Sequence, residues 1–221
     1  NIHAGNGTLN DLFAVSGPFD VMSATWRLFG SDGRLHLTDD LVTATFTSCA
    51  ELGPATPERQ LGVKTLFRPW NVEKIGVHRP FHAAPVREGK LPICWINGSG
   101  EDQYDHYRAL TWHATQQTDG RSLVEMHHYP IKSAEAFLIK ARRGSANSYD
   151  TNRVNIEYWD RYDLNEMRNI SIQRHAPELR KILNKWFDKV PELRRLHEEA
   201  LDFHRWIAED MRAILAEEEP S

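Results

Sequence analysis

A change of texture in the second half of the chain most constrains what it can fold into. From Asn1 to about Asp150, short apolar runs alternate with turns bearing Gly or Pro, which is the pattern of a mixed α/β or strand-rich body. From about Glu157 the pattern is helical, and Pro177 and Pro191 divide it into three pieces. Each proline is tolerated in a first helical turn, where its missing N–H has no intrahelical partner anyway. The reading is therefore an α/β portion over residues 1–150 followed by a helical C-terminal extension over 151–221.

Within the first portion, strands are expected at Phe19 to Phe29, Leu41 to Phe46, Gly62 to Phe67, Ile93 to Ile96 and Leu123 to Tyr129. Each is short and rich in β-branched or aromatic residues. The first ends at the turn Gly30-Ser31-Asp32-Gly33, and a short opening helix through Leu9, Leu12 and Phe13 has Thr8 or Asn10 as its cap. A further helix begins at Ser133, with Glu135 in its first turn, Lys140, Arg142 and Arg143 in its last, and Gly144 to end it. In the last helical piece, Leu193, Leu196, Ala200, Phe203, Ile207, Met211 and Ile214 form an apolar seam. That seam packs on the same chain or pairs with a second copy in a homo-oligomer, and both readings stand at this point.

Composition narrows the function classes. Lys and Arg total 27 against 31 Asp and Glu, a net charge of -4, so the chain is not built chiefly to coat nucleic acid or an anionic membrane. A local basic pocket is still allowed. The two cysteines, Cys49 and Cys94, have no CxxC partner and read as buried thiols in a reducing compartment. No apolar run approaches the ~20 residues that span a bilayer, and no signal segment opens the chain, so a cytoplasmic setting is expected.

The sequence has no GxGxxG, GxxxxGK[ST], GxSxG or HExxH motif, and Asn97-Gly98-Ser99-Gly100 reads as a plain turn. The 11 histidines are a stronger signal, because imidazole binds divalent metals and titrates near neutrality. His127 and His128 end a strand, where alternation sends them to opposite faces, one toward a cleft and one into packing. The helix that follows offers backbone N–H groups and a positive dipole end beside Lys132, an arrangement that suits a phosphate. Lys140, Arg142 and Arg143 either bind diphosphate oxygens or complement the helix C-terminus.

At these residues the chain resembles bacterial family-2-like glycosyltransferases. The likeness is carried by His128-Tyr129-Pro130-Ile131-Lys132-Ser133 through Phe137-Leu138-Ile139-Lys140 and Arg143-Gly144. Trp26-Arg27-Leu28-Phe29-Gly30-Ser31-Asp32-Gly33, Val63-Lys64-Thr65-Leu66-Phe67-Arg68-Pro69, His78-Arg79-Pro80 and Tyr158-Trp159-Asp160-Arg161-Tyr162 fall in the same order as the group's blocks. The resemblance implies a mixed sheet like the second half of a glycosyltransferase A-type fold. It also implies a nucleotide-sugar donor, a glycan acceptor, and a divalent metal, Mn or Mg, acting with the nucleotide diphosphate. The group's Asp-x-Asp segment has no counterpart here, so the chain corresponds to the acceptor-side portion.

Carried over residue by residue, the resemblance places His128 at the metal and Lys132, Lys140 and Arg143 on the phosphates. Lys64 and His78 become further cleft residues, and Trp26, Phe29, Gly30 and Ser31 face sugar and acceptor. Asp32 is the candidate base on the acceptor hydroxyl. The rival readings are a non-catalytic binding or assembly module, and a metal-dependent hydrolase using the histidine-rich region.

Overall fold

The computed structural model describes residues 1–54, 56–144 and 152–218. In chain order the elements are α1 (Leu9–Ser16), β1 (Val21–Leu28), α2 (Val42–Thr45), β2 (Ser48–Cys49), β3 (Val63–Phe67), β4 (Val72–Ile75), β5 (Pro80–His82), α3 (Ala84–Arg87) and β6 (Trp95–Asn97). They continue with α4 (Tyr104–Arg108), β7 (Met126–His128), α5 (Ala134–Arg143), α6 (Ile156–Tyr162), β8 (Met167–Arg168), α7 (Ala176–Lys189) and α8 (Pro191–Glu218). The fold is mixed α/β with a mixed sheet and C-terminal helices. Two units interleave along the chain: Asn1–Leu28 with Glu51–His128, and Phe29–Ala50 with Tyr129–Ser221. The boundary expected near residue 150 lies outside the described residues.

In the first unit β1 is the central strand. It pairs antiparallel with β3 from Val21↔Phe67 to Thr25↔Val63, and parallel with β6 from Val21↔Trp95 to Ser23↔Asn97. Further along it pairs parallel with β7, from Trp26↔Met126 to Leu28↔His128. A strand paired on both edges and covered on both faces is buried along its length, and every residue of β1 except Arg27 is buried. Strand alternation sorts its side chains. Val21 joins Val63, Trp95 and Tyr107 on one face, while Met22 and Ala24 join Leu12, Ile96 and Val124 on the other. The buried hydroxyl of Ser23 accepts from the Trp95 indole N–H at 2.9 Å, so this polar residue fits the core.

In the second unit β2 pairs antiparallel with β8. Ile131, Phe137 and Val154 form its core, with Tyr158 and Trp159 packed against them. α7 and α8 meet at Val190 and run back antiparallel. Arg194 pairs with Asp188 at 2.8 Å, and Phe187 stacks on His197 at 5.0 Å. Farther out, Arg180 of α7 and Arg205 of α8 reach the neighbouring residues Asp40 and Asp39. Pro177 and Pro191 sit in the first turns of these two helices, as the sequence implies.

Two expectations are corrected, and a third narrows. Leu41 to Phe46 is not a strand: α2 occupies it, and the Leu41 carbonyl accepts from the N–H groups of Ala44 and Thr45 and the Thr45 hydroxyl. Side-chain bonds from Thr38 and Asp40 to the backbone just before it start that turn, and an apolar spacing that fits either conformation follows them. Cys49 is buried, but Cys94 is exposed, its thiol 3.5 Å from the Pro18 carbonyl. The α8 seam is not covered over its first half, since Leu193 and Leu196 are 42% and 49% exposed. The side chain of Ile214 lies outside the described residues. Among the described residues no helix is long and apolar enough to cross a membrane.

Candidate functional site

Lys132, Lys140 and Arg143 come together around one cavity of the second unit, about 260 Å³ in volume. α5 forms one wall with these three cations and Ser133, Ala136 and Ile139. The segment from Leu37 to Asp39 with Val42 and Phe46 forms another, and α8 adds Leu201, His204 and Arg205. A space of this size holds a phosphate or diphosphate group, and is smaller than the roughly 300 Å³ at which pockets for whole drug-sized ligands begin.

The sequence builds this wall locally. Ser133 is extended and its Oγ accepts from the Ala136 N–H at 3.3 Å, starting α5. Lys132, just before it, has a φ of 64°, a left-handed conformation that a lysine rarely adopts. The buried Glu135 fixes the first turn: it accepts from the Leu37 N–H at 2.8 Å and pairs with His36 at 2.9 Å and Arg212 at 2.5 Å. Burial raises the affinity of Glu135 for a proton, but His36, Leu37 and Arg212 outweigh it and hold the carboxyl below its usual range.

The helix start itself is not an open anion site. The N–H groups of Ala134 and Glu135 donate to the carbonyls of Arg34 and Leu35, and that of Ala136 is taken by Ser133. The expected phosphate cradle of backbone N–H groups is therefore occupied, and side-chain cations are what remain. Lys140 donates to the Pro130 carbonyl at 2.6 Å and to the Tyr158 hydroxyl at 3.0 Å, both neutral oxygens. Among the described residues, Lys132, Lys140 and Arg143 form no ion pair with a carboxylate.

Their electrostatics follow from that. Burial lowers the Lys132 pKa, with Lys140 and Arg143 adding repulsion, and burial lowers that of Lys140, with Arg143 and Arg153 adding theirs. Like charges gathered in a partly dry pocket repel one another, and an anion placed among them relieves the repulsion and gains charge-assisted hydrogen bonds. The nearest acid on the lining, Asp39, is held by Arg205.

The other residues singled out from the sequence divide between the units. Phe29, Gly30, Ser31 and Asp32 lie in the second, where they form a clasp. Phe29 is fully buried and stacks on Tyr129 at 4.6 Å. A Cβ on Gly30 would stand 2.6 Å from the Leu164 carbonyl, and the Ser31 N–H donates to Asp163 at 2.8 Å. Asp32 accepts from the N–H groups of Thr47 at 2.9 Å and Ser48 at 2.6 Å, one on each carboxylate oxygen. Burial opposes ionisation of Asp32, but these bonds win and its pKa falls, which weakens it as a proton acceptor.

Trp26, His128, Lys64 and His78 belong to the first unit. Trp26 is 6% exposed, with the His128 ring stacked on it at 4.4 Å and Gly62 so close that a Cβ there would meet its ring at 2.7 Å. His78 stacks on Trp112 at 4.4 Å and bonds the Val63 carbonyl through Nδ1, while Lys64 donates to the Val77 carbonyl at 2.5 Å. Burial lowers the pKa of His78, and Lys64 and His113 push it the same way. His127 takes the other face, as strand alternation requires, and bonds Glu125 at 3.0 Å.

Among the described residues no three His, Cys, Asp or Glu side chains gather in a way that could hold an ion, and His128 stands in an aromatic stack. Tyr158, which orients Lys140, was visible in the sequence only as part of a block of resemblance. Arg205 carried no signal, because its place in the wall depends on α8 returning to α5. Comparison with protein-family models, with curated proteins and with solved structures gives no match for this chain.

Proposed function

We propose that this chain is the acceptor-side portion of a glycosyltransferase of A-type fold, contributing cations to the donor diphosphate as a sugar moves from a nucleotide donor to a glycan acceptor in the cytoplasm. The observation that carries the reading is the convergence of Lys132, Lys140 and Arg143 on one cavity with no carboxylate paired to them among the described residues. The ordered blocks that resemble glycosyltransferases include these same three residues.

The chemistry asked of them is modest and suits them. In sugar transfer the acceptor hydroxyl oxygen bonds to the anomeric carbon, its proton passing to water or to the departing diphosphate, while the bond from that carbon to the donor phosphate oxygen breaks. The electron pair leaves with the diphosphate, and cations fixed beforehand stabilise that growing charge. Lys140, held by Pro130 and Tyr158, is such a fixed cation, and Arg143 offers a planar fork that matches two phosphate oxygens. No protein base is assigned, since Asp32 is engaged by Thr47 and Ser48.

That engagement favours a second reading, an anion-binding module without catalysis. Thermal denaturation with pyrophosphate, nucleoside diphosphates and nucleotide-sugars separates the cases, because a ligand bound only by the folded state raises its Tm. The proposal expects nucleoside diphosphates to stabilise the chain and release of the nucleoside diphosphate from a nucleotide-sugar when a glycan acceptor is added. Stabilisation without release leaves the module, and no stabilisation by any of these anions contradicts both.

A further inference from the structure

The hairpin of α7 and α8 leaves open an apolar face whose position on each helix follows from helical geometry. Phe187 on α7 and His197 on α8 stack on each other, so they mark the sides on which the two helices meet. Leu179, Ile182 and Trp186 lie about 100° around α7 from that contact, on the side of each residue's predecessor, and Leu193, Leu196 and Phe203 lie similarly around α8. For two right-handed helices running antiparallel, the same rotation on both brings the two stripes to one side of the hairpin. They also match in height, Trp186 beside Leu196 and Leu179 beside Phe203. These six side chains are 38% to 57% exposed. Large apolar side chains left open along one face in this way mark interaction sites.

The charges on its borders say what covers it. Beyond the stripe of α7 stand Lys181, Lys185 and Lys189, with Glu178 paired to Lys181, and beyond that of α8 stand Glu192 and Glu199, both paired to Arg195. In net charge one border is basic and the other acidic. We infer that a second copy of this chain covers the face, the two hairpins closing into an antiparallel four-helix bundle about a two-fold axis parallel to the helices. In that arrangement α7 of one copy lies over α8 of the other, and each basic border meets an acidic one. The alternative axis, across the helices, sets α7 on α7 and lysines against lysines, which costs energy. An isologous contact of this kind closes on itself as a dimer.

Sedimentation and light scattering of the chain test this, with circular dichroism as the control for folding. The wild type is expected to dimerise below about 100 µM, and the double variant Trp186→Glu with Phe203→Glu to be a folded monomer. Reversing the basic border with Lys181→Glu, Lys185→Glu and Lys189→Glu is expected to weaken the dimer at least ~10-fold, and adding Glu192→Lys and Glu199→Lys to restore it. A wild type that stays monomeric overturns the inference. So does a dimer indifferent to the apolar substitutions, or one that charge reversal leaves unchanged.

Discussion

The ammonium of Lys140 stands 4.4 Å from the centre of the Tyr158 ring and donates to that ring's hydroxyl at 3.0 Å. A cation is thus fixed in direction by a neutral partner, which leaves its charge available. Tyr158→Phe keeps the ring and removes the acceptor. The expected result is a loss of roughly threefold to tenfold in pyrophosphate affinity with little change in stability, read by titration and by thermal denaturation.

Acid weakens the first unit, and the sign follows from two groups. Burial opposes ionisation of Glu125, but bonds from His127 and Arg27 win and bring its pKa down to about 2. A carboxyl depressed on folding contributes stability that is present above its unfolded value of 4.5 and lost as pH falls toward about 2. The amount is about 3 kcal/mol. Burial also lowers the pKa of His127, against the pull of Glu125, so its protonation on unfolding weakens the fold in the same direction below the ordinary histidine value of 6.5. Denaturant midpoints should therefore fall from pH 6.5 downward, and fall less in Glu125→Gln, once its lower starting stability is taken into account.

Gly98 has no room for a side chain. A Cβ there would stand 2.3 Å from the Val124 carbonyl and 2.4 Å from that of Gly120, both backbone atoms. The Gly98 carbonyl also accepts from the N–H groups of Leu123 and Val124, so the segments cannot simply move apart. Gly98→Ala is expected to cost about 3 kcal/mol or more in chemical denaturation, whereas Gly89→Ala, where a Cβ meets nothing, should show only its backbone strain.

Asp32 gives an expectation that separates its structural part from a catalytic one. Asp32→Asn turns one acceptor oxygen into a donor facing the N–H of Thr47 or Ser48, at a cost of about 2 kcal/mol. Thermal denaturation should show that loss while pyrophosphate titration shows unchanged affinity. A large loss of affinity with no loss of stability would place Asp32 at the anion instead.

Much of the fold was legible where a local pattern decides it. β3 and β6 follow from β-branched and aromatic runs, α5 from the Ser133 cap, and the starts of α7 and α8 from their prolines. The interleaving of the two units was not legible, because it depends on β1 pairing with β7 about a hundred residues later. α2 was misread because Leu41, Val42, Ala44 and Phe46 satisfy either period, and only the preceding Thr38 and Asp40 decide between them. At the site, Lys132 before the capped start of α5 and the cations of its last turn were legible, and the resemblance named Lys132, Lys140 and Arg143, but their convergence on one cavity depends on the segment from Leu37 to Asp39 and on α8. The occupied N–H groups of Ala134 and Glu135 were not legible, since their acceptors come from Arg34 and Leu35, a hundred residues earlier.

The central claim is that Lys132 and Arg143 hold a diphosphate, and calorimetric titration of pyrophosphate into the wild type, Lys132→Gln and Arg143→Gln tests it most directly. The account predicts one site per chain, weakened by added salt and at least ~10-fold weaker in each variant, with the fold unchanged. No heat of binding in the wild type, or equal affinity in all three proteins, would contradict it.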